Sequence, residues 1–182
     1  VPLTSQVVKD SFKSRLPSSQ FYWNYRSLFE MAATRFYLTG QFTTIENVFG
    51  ADIAHWTYPV PMRIHNAKNI YSLHDIVPLK LPYTTLDAKN NYHALIDKIC
   101  KQADLVVTVS ETSRRDIVDM FGVADGRCVN TSQSVDIPAK YLNVDVREVG
   151  QQLEAFFNLE YRNYLLFFGA IEPKKNVGRL IE

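Results

Sequence analysis

Two short stretches of this 182-residue sequence carry residue types that could do chemistry. In one, Lys174 and Lys175 stand side by side ahead of an apolar stripe, Val177, Leu180 and Ile181, with Asn176 in the place of a helix N-cap. A helix N-terminus carries about half a positive charge and favours acids, so adjacent lysines there cost roughly a few tenths of a kcal/mol. A site that breaks a local rule is a candidate for function. Backbone N–H groups, a positive dipole end and two ammonium groups together make an anion site, with phosphate or diphosphate as its occupant. The plainer reading is two solvated loop lysines. In the other stretch, His74 and Asp75 follow the apolar run Ile70–Leu73 and precede Pro78. His74 reads equally as a general base, a hydrogen-bonding partner of a sugar hydroxyl or a packed residue. Asp75 suits a cap on the turn before Pro78.

The elements that position these residues are strands. Residues 70–73 read as a short buried strand that delivers His74 and Asp75 into a loop. Residues 104–109 form a nearly continuous apolar run, expected of a parallel strand buried on both faces, and exit at Ser110-Glu111. Residues 164–169, YLLFFG, read as a third strand that exits into 170–176. Three strand–loop–helix units predict an α/β fold, a Rossmann-like parallel sheet flanked by helices with the site along its C-terminal edge. Ser110 also falls where an N-cap belongs, before a helix carrying Ile117, Val118 and Phe121 that Gly122 stops. Tyr92, Leu95, Ile96 and Ile99 repeat at helical spacing, which predicts a helix within 85–103. Leu28, Met31, Ala32 and Arg35 do the same for 26–37, and residues 151–157 suit a shorter helix. Residues 51–57 and 127–130 read as strands, and His55 as a packed, hydrogen-bonded side chain rather than a ligand. Residues 1–20 read as a loop or irregular helix.

The composition, 46% hydrophobic and 21% charged, is that of a soluble globular protein. A net charge of +1 removes any bulk electrostatic case for nucleic acid. The longest apolar run is well short of the roughly 20 residues that a membrane span needs. An aromatic, mildly basic surface over residues 1–40 suits peripheral contact with anionic lipid, although core packing explains most of it. Cys100 and Cys128 fit no metal or redox spacing and read as buried free thiols in a reducing compartment. No two acids stand at i, i+2, so the Asp-x-Asp pattern that holds a metal-bound nucleotide is absent, and no metal is expected. The chain opens at Val1 and ends six residues beyond Asn176, within the first turns of a helix, which leads us to expect a piece of a larger protein.

Three strings carry a resemblance. Phe167-Phe168-Gly169-Ala170-Ile171-Glu172-Pro173-Lys174-Lys175-Asn176 is similar to the opening strand and loop of the C-terminal domain in retaining glycosyltransferases of the two-Rossmann-domain (GT-B) class, family 4. Residues 103–111 followed by Arg114-Arg115-Asp116-Ile117 resemble that family's last large βα unit of the N-terminal domain, and His74-Asp75-Ile76-Val77-Pro78 its upstream His-Asp-x-x-Pro. The chain departs at Ser134-Val135-Asp136, where members commonly have Gly-Val-Asp, and at Ala170, where many have arginine.

The resemblance implies a two-domain GT-B architecture. Residues 1–138 would belong to the N-terminal, acceptor-side domain, 139–160 to the interdomain connection, and 161–182 to the first strand and helix start of the nucleotide-sugar domain. It implies a hexosyltransferase, with mannose as a candidate sugar, that moves a sugar from a nucleotide-diphosphate donor to a glycan or lipid-linked acceptor with retention and without a metal cofactor. Lys175 would contact the donor diphosphate. Lys174 and the loop from Gly169 to Glu172 would line the nucleotide-sugar cleft, Ser110 would be a further donor-binding residue, and His74 would lie near the transferred sugar. Family usage points to the cytoplasmic side of the membrane. A non-catalytic Rossmann-like module that binds phosphate or a partner is the competing reading. As a piece, the chain is expected to be inactive alone and to self-associate through an exposed strand 164–169.

Overall fold

The computed structural model describes residues 27–182 apart from 49, 87 and 125, and the readings of residues 1–26 lie outside them. Helix α1 (Leu28–Thr39) leads into β1 (Thr43–Ile45), β2 (Ile53–Trp56), β3 (Met62–Ile64) and β4 (Lys68–Ser72). Then come α2 (Val77–Lys80), α3 (Lys89–Gln102), β5 (Leu105–Thr108), α4 (Glu111–Phe121) and β6 (Cys128–Asn130). Helices α5 (Val146–Phe157) and α6 (Val177–Ile181) follow. The strands form two parallel sheets, β2-β4-β5-β6 and β1-β3. Parallel neighbours need a crossover: α2–α3 supply it between β4 and β5 and α4 between β5 and β6, while the connection from β2 to β4 passes through β3 of the smaller sheet. The expected α/β architecture of parallel sheet and flanking helices is what forms.

Alternation along β4 and β5 decides where the core lies. Tyr71, Leu73, Val106 and Thr108 are buried, whereas Ile70, Ser72, Leu105 and Val107 are half-buried. The buried set packs with Ile96, Ile99 and Cys100 of α3, Ile117 of α4 and Cys128 of β6. Both helices therefore lie on one face. The expectation that residues 104–109 would be buried on both faces fails for that reason.

The smaller sheet has its own core, Ala32, Ile45, Val60 and Met62, covered by α1. Trp56 packs against both cores. Asn69, buried at the start of β4, joins the two sheets with all four of its side-chain hydrogen-bonding positions. Its Oδ1 accepts from the backbone N–H of Ile64 (2.8 Å) and the indole N–H of Trp56 (3.1 Å). Its Nδ2 donates to the carbonyls of Ile64 and Ala67, each at 2.9 Å.

Beyond Cys128 no described residue is buried. Residues 165–168 are the clearest departure from expectation, since they enter no ladder and Leu165, Leu166 and Phe168 are strongly exposed. A strand exists only where another strand takes its backbone groups, and none among the described residues does so here.

Candidate functional site

All four strands of the larger sheet point the same way, so their C-terminal ends share one edge. The sheet order runs steadily with the sequence, and the strand-order reversal at which such sheets bind ligands is not among these strands. What the edge does present is a set of short loops. His74 and Asp75 follow β4, Thr57 follows β2, and Ser110 follows β5.

His74 is exposed, and its Nε2 lies 3.3 Å from the carbonyl oxygen of Thr57. That contact fixes the ring over the gap between β2 and β4, with Nε2 carrying the proton if it donates to the carbonyl. Its exposure sets it apart from the packed alternative. Asp75 caps: its Oδ1 accepts the backbone N–H of Val77 at 2.9 Å, an Asx turn that opens α2 with Pro78 in the first turn. The carbonyl of Asp75 accepts from the Tyr92 hydroxyl at 3.3 Å, which ties the loop to the start of α3.

Ser110 is the N-cap of α4, as its position predicts. Its Oγ accepts from the backbone N–H of Ser113 at 3.1 Å and lies 3.0 Å from the Ser113 hydroxyl. One residue on, Glu111 forms a bidentate pair with Arg114, and those hydrogen bonds hold its carboxyl below its ordinary value. Gly122 ends the helix in the left-handed conformation (φ 62°) that its lack of a Cβ permits.

The lysine pair sits otherwise than expected. Lys174 and Lys175 lie in a single 3₁₀ turn, Pro173–Lys175, that leads into α6. Asn176 takes a left-handed φ of 52° and makes no side-chain cap, whereas an N-cap needs extended backbone. A 3₁₀ turn, and not the first turn of a capped helix, thus carries both lysines. Lys174 pairs with Glu172 at 2.9 Å, and the Lys175 side chain is exposed. Gly169 takes a φ of 129°, which L residues rarely adopt, so the chain turns there as a glycine allows. The structure thus brings His74, Asp75 and Ser110 to one sheet edge, and leaves Gly169, Glu172, Lys174 and Lys175 on the surface segment beyond the core.

One pair escaped the reading of the sequence. His55, on the open face of β2, places its Nε2 2.9 Å from the Ser72 hydroxyl on β4. His55 is hydrogen-bonded, as expected, but exposed rather than packed. The available signal was parity: Ile53 and His55 on β2, and Ile70 and Ser72 on β4, share faces by the period of two.

Among the described residues, no three His, Cys, Asp or Glu side chains cluster so as to hold a metal ion. No helix among them is long and apolar enough to cross a membrane. The two thiols are buried, and burial pushes Cys100 up to about 12 and raises Cys128.

Compared with known proteins, residues 5–137 match the model of the family described as Glycosyltransferase Family 4. The chain is also similar to the O-antigen chain mannosyltransferase B of Escherichia coli, with 27% identity over 124 residues. That alignment covers 68% of this chain and 31% of the relative, so the chain spans under a third of the protein it matches. No solved structure matches it significantly.

Proposed function

The chain belongs to Glycosyltransferase Family 4, and from that premise we propose that the protein transfers a hexose, mannose first among them, from a nucleotide-diphosphate donor to a glycan or lipid-linked acceptor. The transfer retains configuration at the anomeric carbon and needs no metal. The name of the similar mannosyltransferase supports the choice of sugar. In this reading residues 1–138 are acceptor-side domain, 139–160 connection, and 161–182 the opening of a nucleotide-sugar domain in a GT-B architecture. The enzyme works at the cytoplasmic face of the membrane, in peripheral contact with it.

The observation that carries the proposal is His74, exposed at the C-terminal edge of a parallel sheet and oriented by the Thr57 carbonyl. There it hydrogen-bonds the sugar in transfer. As the donor bond breaks, negative charge grows on the departing phosphate oxygen while the anomeric carbon becomes cation-like. Lys175, with Lys174 and the loop from Gly169 to Glu172, meets that charge, and Ser110 lies on the facing edge. Each well-aimed donor to such developing charge is worth about 3–4 kcal/mol. The exposed side chains of Leu165, Leu166 and Phe168 suit a segment that packs against a second domain.

The test is substitution in the full-length enzyme. Lys175→Ala and His74→Ala each lower turnover by about tenfold or more, and both variants keep the melting temperature of the parent. Near-normal turnover in Lys175→Ala contradicts its assignment. A His74 variant that loses stability but not activity contradicts the role given to His74.

A further inference from the structure

His74 stands out from the sheet between two residues that the core holds. Leu73 prolongs the β4 ladder, its N–H donating to the Val107 carbonyl at 2.9 Å, and its side chain is buried. Ile76 is buried as deeply and returns the chain to the same core. From there on α2 is fixed as well. Leu79 packs against the core, and Lys80 pairs with Asp116 of α4 at 2.6 Å. The freedom left in the segment lies in His74 and Asp75, both exposed.

Two hydrogen bonds take up that freedom. The Thr57 carbonyl holds the ring of His74, and the hydroxyl of Tyr92 donates to the Asp75 carbonyl, one residue beyond. Each is 3.3 Å long, past the usual range, as hydrogen bonds in a site often are before substrate binds and tightens them. The ring of Tyr92 packs against the core, a role that phenylalanine would fill as well. Its hydroxyl is what reaches the loop. Tyr92 lies in the first turn of α3, a helix held on the sheet by the buried Ile96 and Ile99, so the hydroxyl is carried by a rigid post.

We propose that Tyr92 is a positioning residue for His74. Its hydroxyl fixes the Asp75–Ile76 peptide, which sets the path of the backbone at His74 and keeps the imidazole aimed at the sugar in transfer. The inference rests on the role given to His74 in the transferase reading. Tyr92 acts through the loop and meets neither donor nor acceptor, so its loss costs alignment rather than binding. Such a loss lowers kcat and kcat/KM alike and leaves KM as it was. Stability barely changes, because water reaches the exposed Asp75 once the hydroxyl is gone.

The experiment is a double-mutant cycle in the full-length enzyme, Tyr92→Phe against His74→Ala, with nucleotide-linked mannose as donor. Tyr92→Phe is expected to lower kcat about threefold to tenfold at an unchanged KM and melting temperature. In the His74→Ala background the same change is expected to cost nothing further, since no imidazole is left to aim. Losses that multiply in the double variant mark a merely structural role and overturn the inference, as does parental kcat in Tyr92→Phe. NMR of the imidazole groups gives a readout that needs no turnover. The His74 ring signals, identified by their loss in His74→Ala, are expected to shift in Tyr92→Phe while those of His65, beyond β3, stay. Unmoved His74 signals overturn the inference. Should His74→Ala turn over like the parent, or no donor be used at all, the transferase reading of His74 alone fails, and shifted signals still uphold the hold of Tyr92 on its ring.

Discussion

Asn69 holds both peptide groups of Ile64, accepting from its N–H at 2.8 Å and donating to its carbonyl at 2.9 Å. One side chain on β4 thereby does for β3 what a neighbouring strand would do, and it also anchors Trp56, which packs on both cores. The amide is buried and has no hydrogen-bonding capacity to spare. Asn69→Ala leaves the Ile64 N–H and the Trp56 indole without this partner. Each buried orphan costs about 1–3 kcal/mol. Urea unfolding of the variant should show a midpoint lowered accordingly with an unchanged slope. A midpoint equal to that of the parent would contradict the joint between the sheets.

Asp104 pins the start of β5 to β4. Its carboxylate accepts from the backbone N–H of Asn69 (2.8 Å) and from Lys68 (3.0 Å). Burial acts to raise its pKa, but the Asn69 N–H and the Lys68 ammonium outweigh that and hold it below the ordinary value. A carboxyl lowered in the folded state adds stability above its unfolded pKa of about 3.9, and the gain is lost as pH falls through the folded value. The side chain is 37% exposed, so solvent screening keeps the effect small. Asp104→Asn should flatten part of the acid limb of the stability–pH curve while leaving the difference between pH 6 and pH 8 as in the parent. An acid limb of unchanged depth would contradict the assignment.

Periodicity made much of this fold legible. The helical stripe of Tyr92, Leu95, Ile96 and Ile99, the apolar run of β5, and the Ser110 and Gly122 stop signals each report on their own residues. Strands β1 and β3 were illegible, because three residues are too few for an alternation to register. Helix α2 hid behind Pro78, which a helix tolerates in its first turn. Residues 165–168 failed for the opposite reason. Their apolar run satisfies every local criterion for a strand, but pairing is a property of two segments. The site divides in the same way. His74 at a strand end follows from local pattern, whereas the conformation of Asn176 and the pairing of His55 with Ser72 depend on the folded backbone.

The two cysteines give a check on the core. Both are buried on the helix-covered face, and burial disfavours the thiolate that reacts. In the native protein at pH 8 neither should react with an aromatic disulfide reagent on the timescale of a free thiol, and both should react at once in denaturant. Rapid labelling of either thiol under native conditions would contradict this packing.

Ser110 separates a structural role from one in the site. As the N-cap of α4, it should cost about 1 kcal/mol on substitution by alanine. Ser110→Asp keeps an acceptor for the Ser113 N–H and so keeps the stability, but it sets a negative charge on the edge proposed to face the donor. That variant should melt like the parent and bind nucleotide sugar more weakly. Unchanged donor affinity would remove Ser110 from the site and leave it the cap alone.

Metal-independent transfer is checked by measuring sugar transfer in the full-length protein from a panel of nucleotide sugars, with and without chelator. Turnover with one preferred donor, a nucleotide-linked mannose, is expected to survive chelation. Nucleotide binding without turnover from any donor would contradict it.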